Sequence, residues 1–254
     1  MWRKLRLLIL LLILATVAQQ AWLKDGAPDW HKTLYVSLYP INADGSPAAN
    51  EAVLAFQQRP LEQIEDYFND TAAVYRLGVK PFALRASSSM TSRPPIPPSQ
   101  SLLGTIAWSL QFRWWAWRYT PASNIKPDIR LYLLFYDPST RPVLSHSTAL
   151  SKGRIGLVNL FASRRQVSQN DIIIAHELLH TVGASDKYDL ATTLPIYPTG
   201  YAEPQREPLY PQPYAELMGG RRPLSETSAE IPESLQQVVI GETTAREIGW
   251  RRTS

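Results

Sequence analysis

Residues 175–189 read AHELLHTVGASDKYD and contain two of the chain's four histidines, His176 and His180. Positions four apart lie on one helix face with Cβ atoms about 5–6 Å apart, so both imidazoles can reach one metal ion. Glu177 points to the adjacent face, where it can reach a water molecule bound to that ion. The stretch therefore predicts a helix with two zinc ligands and a general base. The alternative is a histidine pair with a salt-bridging glutamate.

The residues after the histidine pair suggest a third ligand. Gly183 stands where a helix can end through a left-handed residue. A turn there would bring Asp186 back toward the two imidazoles, and its carboxylate would leave a fourth position for water, as a catalytic zinc site requires. Asp189, three residues further on, is an alternative third ligand.

The string from His176 to Asp186 has the form HExxHxxGxxD, which resembles the signature of the metzincin metallopeptidases. The usual third ligand in that family is histidine, and the aspartate here is similar to the snapalysin-type minority. The family also carries a methionine turn beneath the metal. Of the three methionines only Met218, in AELMGG at 215–220, follows the motif, although methionine also serves as a general filler of cores. The resemblance covers about residues 129–250.

This resemblance implies an α+β fold, with a twisted mixed sheet, an active-site helix and a C-terminal helix after the methionine turn. It also implies a zinc-dependent endopeptidase, in which Zn²⁺ is bound by His176, His180 and Asp186 and Glu177 is the general base. We keep two alternatives open: a catalytically inactive metal-binding scaffold or interaction protein, and an amide hydrolase that acts on cell-wall peptides. The substrate would be a peptide or protein.

No residue is assigned to substrate binding by the sequence. The family's tyrosine just after the methionine turn is missing, because Met218 is followed by Gly-Gly-Arg. Three other tyrosines could take its place, but ordinary packing is the simpler interpretation for each: Tyr188, Tyr210 and Tyr214. A solvated charge pair is likewise the simpler interpretation of Arg221 and Arg222. His31 and His146 are isolated in the sequence, and we interpret both as ordinary residues.

The N-terminus predicts export. Arg3, Lys4 and Arg6 precede an apolar run from Leu7 to Ala18, which is typical of a signal sequence. Residues 1–22 are either a cleaved signal peptide or a retained signal anchor, and we favour the anchor. Residues 23–32 would then be a linker, and 33–254 a single zinc-peptidase-like domain on the periplasmic side of the inner membrane, or secreted after cleavage.

Composition narrows the function classes further. The formal net charge is +4, and three of these charges belong to the N-terminal segment, so the remainder is close to neutral and we expect no nucleic-acid partner. The chain has no cysteine, which excludes thiolate zinc ligands and thiol nucleophiles. An exported domain without disulfides must rely on its core and on any bound metal.

Apolar periodicity predicts the order of helices and strands. We expect strands at 33–40, 81–85, 129–136 and 154–161, and helices at 49–77 with a break at Pro60, at 101–119, around the histidine motif, and at 233–248. Ser168 is the expected N-cap of the motif helix, with Asp171 at its third position. The strand Ile155–Phe161 is a candidate edge strand for substrate pairing.

Overall fold

The computed structural model describes residues 2, 6, 9–13, 16, 28–98 and 102–251. Most of the predicted signal segment, 1–22, and half of the predicted linker, 23–32, lie outside the described residues, so cleavage or anchoring stays a prediction. Within the part of the chain that is described, no helix has both the length and the apolar character needed to cross a membrane.

The centre of the molecule is a five-stranded mixed sheet. Its strands are β1 (Leu34–Asn42), β2 (Phe82–Ala86), β3 (Ile129–Tyr136), β4 (Thr148–Leu150) and β5 (Ile155–Phe161), in the order β2-β1-β3-β5-β4. The first three pairings across the sheet are parallel, and β4 runs antiparallel to β5. β1, β3 and β5 are buried along almost their whole length, as expected for parallel strands covered on both faces.

Helices cover both faces of this sheet. Helices α1 (Pro47–Gln58), α2 (Glu62–Val74) and α4 (Val167–His180) pack on one face, and α3 (Leu102–Tyr119) packs on the other. The two faces divide the strands by alternation: Leu131 and Leu133 join the first core, whereas Tyr132 and Leu134 join the second. A mixed sheet with several helices is compatible with the predicted α+β class.

The expected break at Pro60 is present between α1 and α2. Ser46 caps α1 by accepting a hydrogen bond from the Ala49 backbone N–H, and Pro47 occupies the first helical position. Arg59 is extended (ψ 149°), as a residue before proline prefers, and this ends the helix.

After α4 the chain forms small elements around a long irregular segment. They are β6 (Ala215–Glu216), β7 (Arg222–Ser225), β8 (Ser228–Glu230), β9 (Val238–Val239) and helix α5 (Glu242–Glu247). β6 pairs in parallel with β9, and β7 pairs with β8 in an antiparallel hairpin.

The expected C-terminal helix at 233–248 is wrong in its first half. Leu235–Gln237 is a 3-10 turn and Val238–Val239 is a strand, so only Glu242–Glu247 is α-helical. The buried carboxylate of Glu216 explains the break, because it accepts hydrogen bonds from the Gly241 backbone and the Thr244 hydroxyl. Pairing with β6 thus overrides the local helical spacing.

Two local predictions are also corrected. Helix α4 begins at Val167, with Gln166 in the N-cap position, so Ser168 lies inside the helix and is exposed. Asp171 bonds to the Arg59 guanidinium of the neighbouring α1 end instead of serving the helix start. Strand β5 is not the sheet edge, because β4 pairs with its first half and forms the edge itself.

Candidate metal centre

Helix α4 places the two motif histidines on one face at its C-terminal end. The helix ends at His180, and a tight turn follows in which Gly183 has φ +109°, a conformation that side chains with a Cβ rarely adopt. The Ala184 backbone N–H closes this turn by donating to the Leu179 carbonyl. The expected left-handed glycine is present, and the chain doubles back beneath the helix end.

This turn brings Asp186 to the two imidazoles. Asp186 Oδ1 lies 3.0 Å from His176 Nε2 and 3.1 Å from His180 Nε2, and the two Nε2 atoms are 3.0 Å apart. Zn–N bonds of about 2.0–2.1 Å at tetrahedral angles would separate neighbouring donors by about 3.3 Å. The three atoms therefore form a triangle of nearly the size that a tetrahedral ion needs.

The outer ring nitrogens determine which atoms face the centre of the triangle. His176 Nδ1 donates to the Leu217 carbonyl at 2.9 Å, and His180 Nδ1 donates to the Ala184 carbonyl at 2.8 Å. Because each Nδ1 carries the hydrogen, the neutral rings present lone pairs at both Nε2 atoms, toward a carboxylate oxygen. Three acceptors converging on one point repel one another unless a cation lies between them.

The pKa shifts of His176 and Asp186 also indicate that the site favours a positive charge. The pKa of His176 is raised: burial alone would lower it, but the hydrogen bond to Asp186 and the charge of Glu177 favour the protonated ring. Burial alone would raise the pKa of Asp186, but the two imidazoles, which donate hydrogen bonds to its carboxylate when they are protonated, outweigh burial and lower that pKa. The donor set of two neutral imidazoles and one carboxylate fits zinc.

Glu177 lies beside the triangle without joining it. Its side chain is buried, and its Oε2 atom has no hydrogen-bond partner within the described residues. Burial raises the pKa of Glu177, while the nearby imidazoles of His176 and His180 oppose the rise. Burying a carboxylate oxygen without a hydrogen-bond partner destabilises the folded state. Such groups are typical of functional sites, where the oxygen meets a ligand or a water molecule.

Met218 lies in a tight turn that supports the histidine helix. Leu217–Gly219 forms a 3-10 turn that ends at Gly220 in a left-handed conformation, and Met218 is completely buried. Leu217 supplies the carbonyl that orients His176. A Cβ on Gly219 would lie 2.4 Å from the Gly200 carbonyl oxygen, so only glycine allows the irregular segment to pack on this turn.

A second set of contacts holds the segment that carries Asp186. Glu247 on α5 accepts hydrogen bonds from the Ser185 backbone and hydroxyl and from Lys187 Nζ, at 3.0, 2.7 and 2.7 Å. The Lys187 backbone also donates to the Met218 carbonyl at 2.9 Å. Both neighbours of Asp186 are therefore tied to the C-terminal elements, which fixes the position of its carboxylate.

A cleft of about 340 Å³ opens beside His176 and Glu177. Its walls are mainly apolar and come from α4, the end of β5, the methionine turn and the irregular segment, with Phe161, Ile172, Ile173, Leu217 and Ile231 among them. Tyr188 also lines it, and burial followed by the charges of Asp186 and Glu177 raises its pKa to about 12. The phenol is therefore a hydrogen-bond donor at neutral pH.

His146 is a cleft residue that the sequence reasoning missed. It lines the same cleft as Glu177. The side-chain amide of Asn159 on β5 donates to the carbonyls of Ser145 and His146, at 3.1 Å each, and so holds this segment beside the sheet edge. The only sequence signal was a polar asparagine inside an apolar strand.

Several other candidates lie apart from the triangle. Asp189 is exposed and accepts hydrogen bonds from residues 191 and 192, so it belongs to a local turn. Tyr210 shares a hydrogen bond with Tyr201, and Tyr214 is exposed. Arg221 lines the cleft, whereas Arg222 pairs with Glu230. A separate cavity of about 290 Å³ surrounds Arg59 and Asp171, between α1 and α4.

No protein-family model matches the chain, and no curated protein matches it significantly.

Proposed function

We propose that this protein is a metzincin-like, zinc-dependent endopeptidase, exported and held at the membrane by its N-terminal segment. The observation that carries the proposal is the convergence of His176 Nε2, His180 Nε2 and Asp186 Oδ1 on one point, with the buried Glu177 carboxylate beside it, whose Oε2 has no partner among the described residues. A purely structural metal site needs no such base, so this pairing favours catalysis over a scaffold.

His176, His180 and Asp186 would hold the ion, which when bound lowers the pKa of a water molecule and polarises a carbonyl group. Glu177 accepts the proton of the attacking water and later donates it to the leaving amine. Burial raises the pKa of Glu177, which brings its proton affinity closer to that needed for exchange near neutral pH. Tyr188, held protonated, can donate a hydrogen bond to a substrate oxygen in the cleft.

The cleft supports a peptide as substrate. Its wall of aliphatic and aromatic side chains suits an apolar side chain next to the cleaved bond. β4 is the edge strand of the sheet, and an edge strand can pair with an extended peptide backbone. A cell-wall peptide is the second candidate for the same chemistry.

The decisive experiment compares the wild type with Glu177→Gln in the full chain. We expect Glu177→Gln to bind zinc in the same stoichiometry and to lose at least about 100-fold in kcat/KM on a mixed peptide library. The reason is that the amide keeps the shape of the carboxylate but accepts no proton. Glu233→Gln, at an exposed position, is the matched control and should keep full activity.

The alternatives give different results in the same assay. A scaffold would bind zinc yet cleave nothing in a Glu177-dependent way, which would sink the peptidase proposal. A cell-wall amidase would cleave stem-peptide fragments but not the general library. Metal analysis of the wild type, with His180→Ala as the reference, tests zinc binding itself. If the wild type binds no zinc, both the endopeptidase and the cell-wall amidase proposals fail.

A further inference from the structure

Helix α3 has two apolar faces, of which only one is used by the fold. Trp108, Phe112, Trp115 and Ala116 are buried against the sheet. The opposite face presents five large apolar side chains to solvent at spacings of three and four, and we call them the α3 stripe: Leu103, Ile106, Leu110, Trp114 and Trp117. Their exposed fractions are 79, 47, 46, 56 and 76%.

Such a stripe is unusual on a water-facing helix. Scattered exposed apolar residues are normal, but a contiguous row along one helix marks a surface that meets a partner or a lipid. Helix α3 carries no acidic residue, and its only charged side chains are Arg113 and Arg118. Exposed tryptophans with basic neighbours are the composition found at membrane surfaces.

A basic cavity of about 430 Å³ adjoins the end of the stripe. Arg113, Lys126 and Arg130 line it, and none of the described residues in its wall is an aspartate or a glutamate. Arg113 Nη2 donates to the Lys152 carbonyl at 2.7 Å, whereas Arg130 Nε is buried without a hydrogen-bond partner in the described part of the chain. An unpaired buried guanidinium N–H favours an anion, and phosphate oxygens match the geometry of arginine donors.

Trp117 belongs to both the α3 stripe and the wall of this cavity. The apolar row and the cationic cavity therefore form one continuous surface. An apolar ligand alone would leave the cations unused, and a soluble anion would leave the stripe exposed. A phospholipid bilayer with anionic headgroups would cover the α3 stripe and also pair with the cations of the cavity.

We propose that α3 docks on the surface of an anionic phospholipid bilayer. The α3 stripe enters the headgroup region, and a lipid phosphate lies in the cavity of Arg113, Lys126 and Arg130. The proposed N-terminal anchor, with its apolar run at Leu7–Ala18, would hold the chain at a membrane, and residues 23–29, which precede the buried Trp30, span at most about 25 Å when extended. The domain is thus held close enough for a weak surface contact to form. This proposal rests on the proposed membrane attachment but not on peptidase activity.

Docking through α3 leaves the candidate metal centre accessible. Helices α3 and α4 pack on opposite faces of the sheet, in separate apolar cores. The cleft beside Glu177 is built on the α4 face. The sheet therefore stands between the bilayer contact and the site where a substrate would enter.

The test uses the full chain reconstituted into vesicles. The protein has no cysteine, so Leu110→Cys can carry an environment-sensitive fluorophore at one position on the α3 stripe. Leu54→Cys, similarly exposed but on α1 across the sheet, is the matched control. Vesicles of phosphatidylcholine are compared with vesicles that also contain phosphatidylglycerol.

We expect the label at position 110 to report an apolar environment in the mixed vesicles, and the label at position 54 to report water. The ratio of docked to undocked domain should be about tenfold higher in mixed than in neutral vesicles. The paired change Trp114→Ser with Trp117→Ser should abolish the signal. Lys126→Gln with Arg130→Gln should remove the lipid preference, and Lys126→Gln alone should weaken it.

Three outcomes would overturn the proposal. One is a label at position 110 that stays in water in every vesicle. Another is equal shielding in neutral and anionic vesicles, which would show that no anionic headgroup is recognised; the same shielding without vesicles would assign the stripe to a segment of the chain itself. The last is shielding that rises with protein density, together with a disulfide-linked dimer of the unlabelled Leu110→Cys variant, which would assign the stripe to a second copy. Circular dichroism of each variant excludes unfolding as the cause.

Discussion

Asp186 is the residue on which the metal site depends most directly. Its Oδ1 atom contacts both imidazoles, whereas Asp189 lies in a separate turn. We expect Asp186→Asn to weaken zinc binding by at least about 100-fold, since an amide oxygen supplies no charge to the ion. Competition with a chromogenic chelator measures the affinity.

Asp189→Asn is the matched control for this prediction and should bind zinc like the wild type. If Asp189→Asn weakened binding and Asp186→Asn did not, the assignment of the third ligand would be wrong.

His146 offers a second test at the level of single side chains. It lies in the cleft with Glu177, although nothing adjacent to it in the sequence marks it. We expect His146→Ala to lower kcat/KM about tenfold, because a polar ring that faces the substrate is lost. Zinc content should not change, since His146 is outside the ligand triangle.

His31→Ala is the control, because His31 is exposed and is not among the residues that line the cleft. Equal activity of His146→Ala and the wild type would show that His146 only lines the cleft.

Among the secondary-structure elements, α5 supports the site from a distance although it is short. Glu247 holds Ser185 and the buried Lys187 on either side of Asp186. We expect Glu247→Gln to destabilise the fold by about 2 kcal/mol, because the Lys187 ammonium loses its charged partner. Zinc affinity should fall about tenfold as the Asp186 segment loosens. Urea unfolding and chelator competition measure the two effects.

The same contact makes a pH prediction. Burial alone would raise the pKa of Glu247, but hydrogen bonds from Lys187 and Ser185 outweigh it and lower that pKa. Because the carboxyl pKa is lower in the folded state, Glu247 contributes stability at pH values above its ordinary pKa of 4.5. This contribution is lost as the pH falls through the pKa of the folded state. The stability difference between wild type and Glu247→Gln should therefore shrink at acid pH.

Glu242→Gln on the same helix is the control for both measurements. Its side chain forms exposed pairs with Arg246 and Arg251, so we expect a change below about 0.5 kcal/mol. A comparable loss in both variants would show that α5 is sensitive to any charge removal.

At the scale of the whole molecule, the sheet separates two surfaces of different character. The α4 face carries the histidine triangle and its cleft, and the α3 face carries an exposed apolar row beside a basic cavity. Because the two cores are distinct, substitutions on the α3 stripe should leave zinc binding unchanged. An orientation of the cleft away from the bilayer follows from this arrangement.

Local sequence was sufficient for the regular elements and for the histidine helix. The strands β1, β3 and β5 and the helices α1 to α4 follow from apolar periodicity, and Pro60 marks the break between two of them. The spacing of His176, Glu177 and His180 defines a helix face, and Gly183 marks the turn that follows. These features depend on neighbours within a few residues, which is the range that spacing and propensity describe.

Only the tertiary structure decided the features that depend on distant contacts. The helical spacing at 233–241 yields to pairing with β6 and to the buried Glu216 carboxylate. His146 reaches the cleft because β4 folds back on β5, and Lys187 is buried because Glu247, 60 residues away, accepts its hydrogen bond. Such partners are brought together by the packing of the whole chain, and no local pattern encodes them.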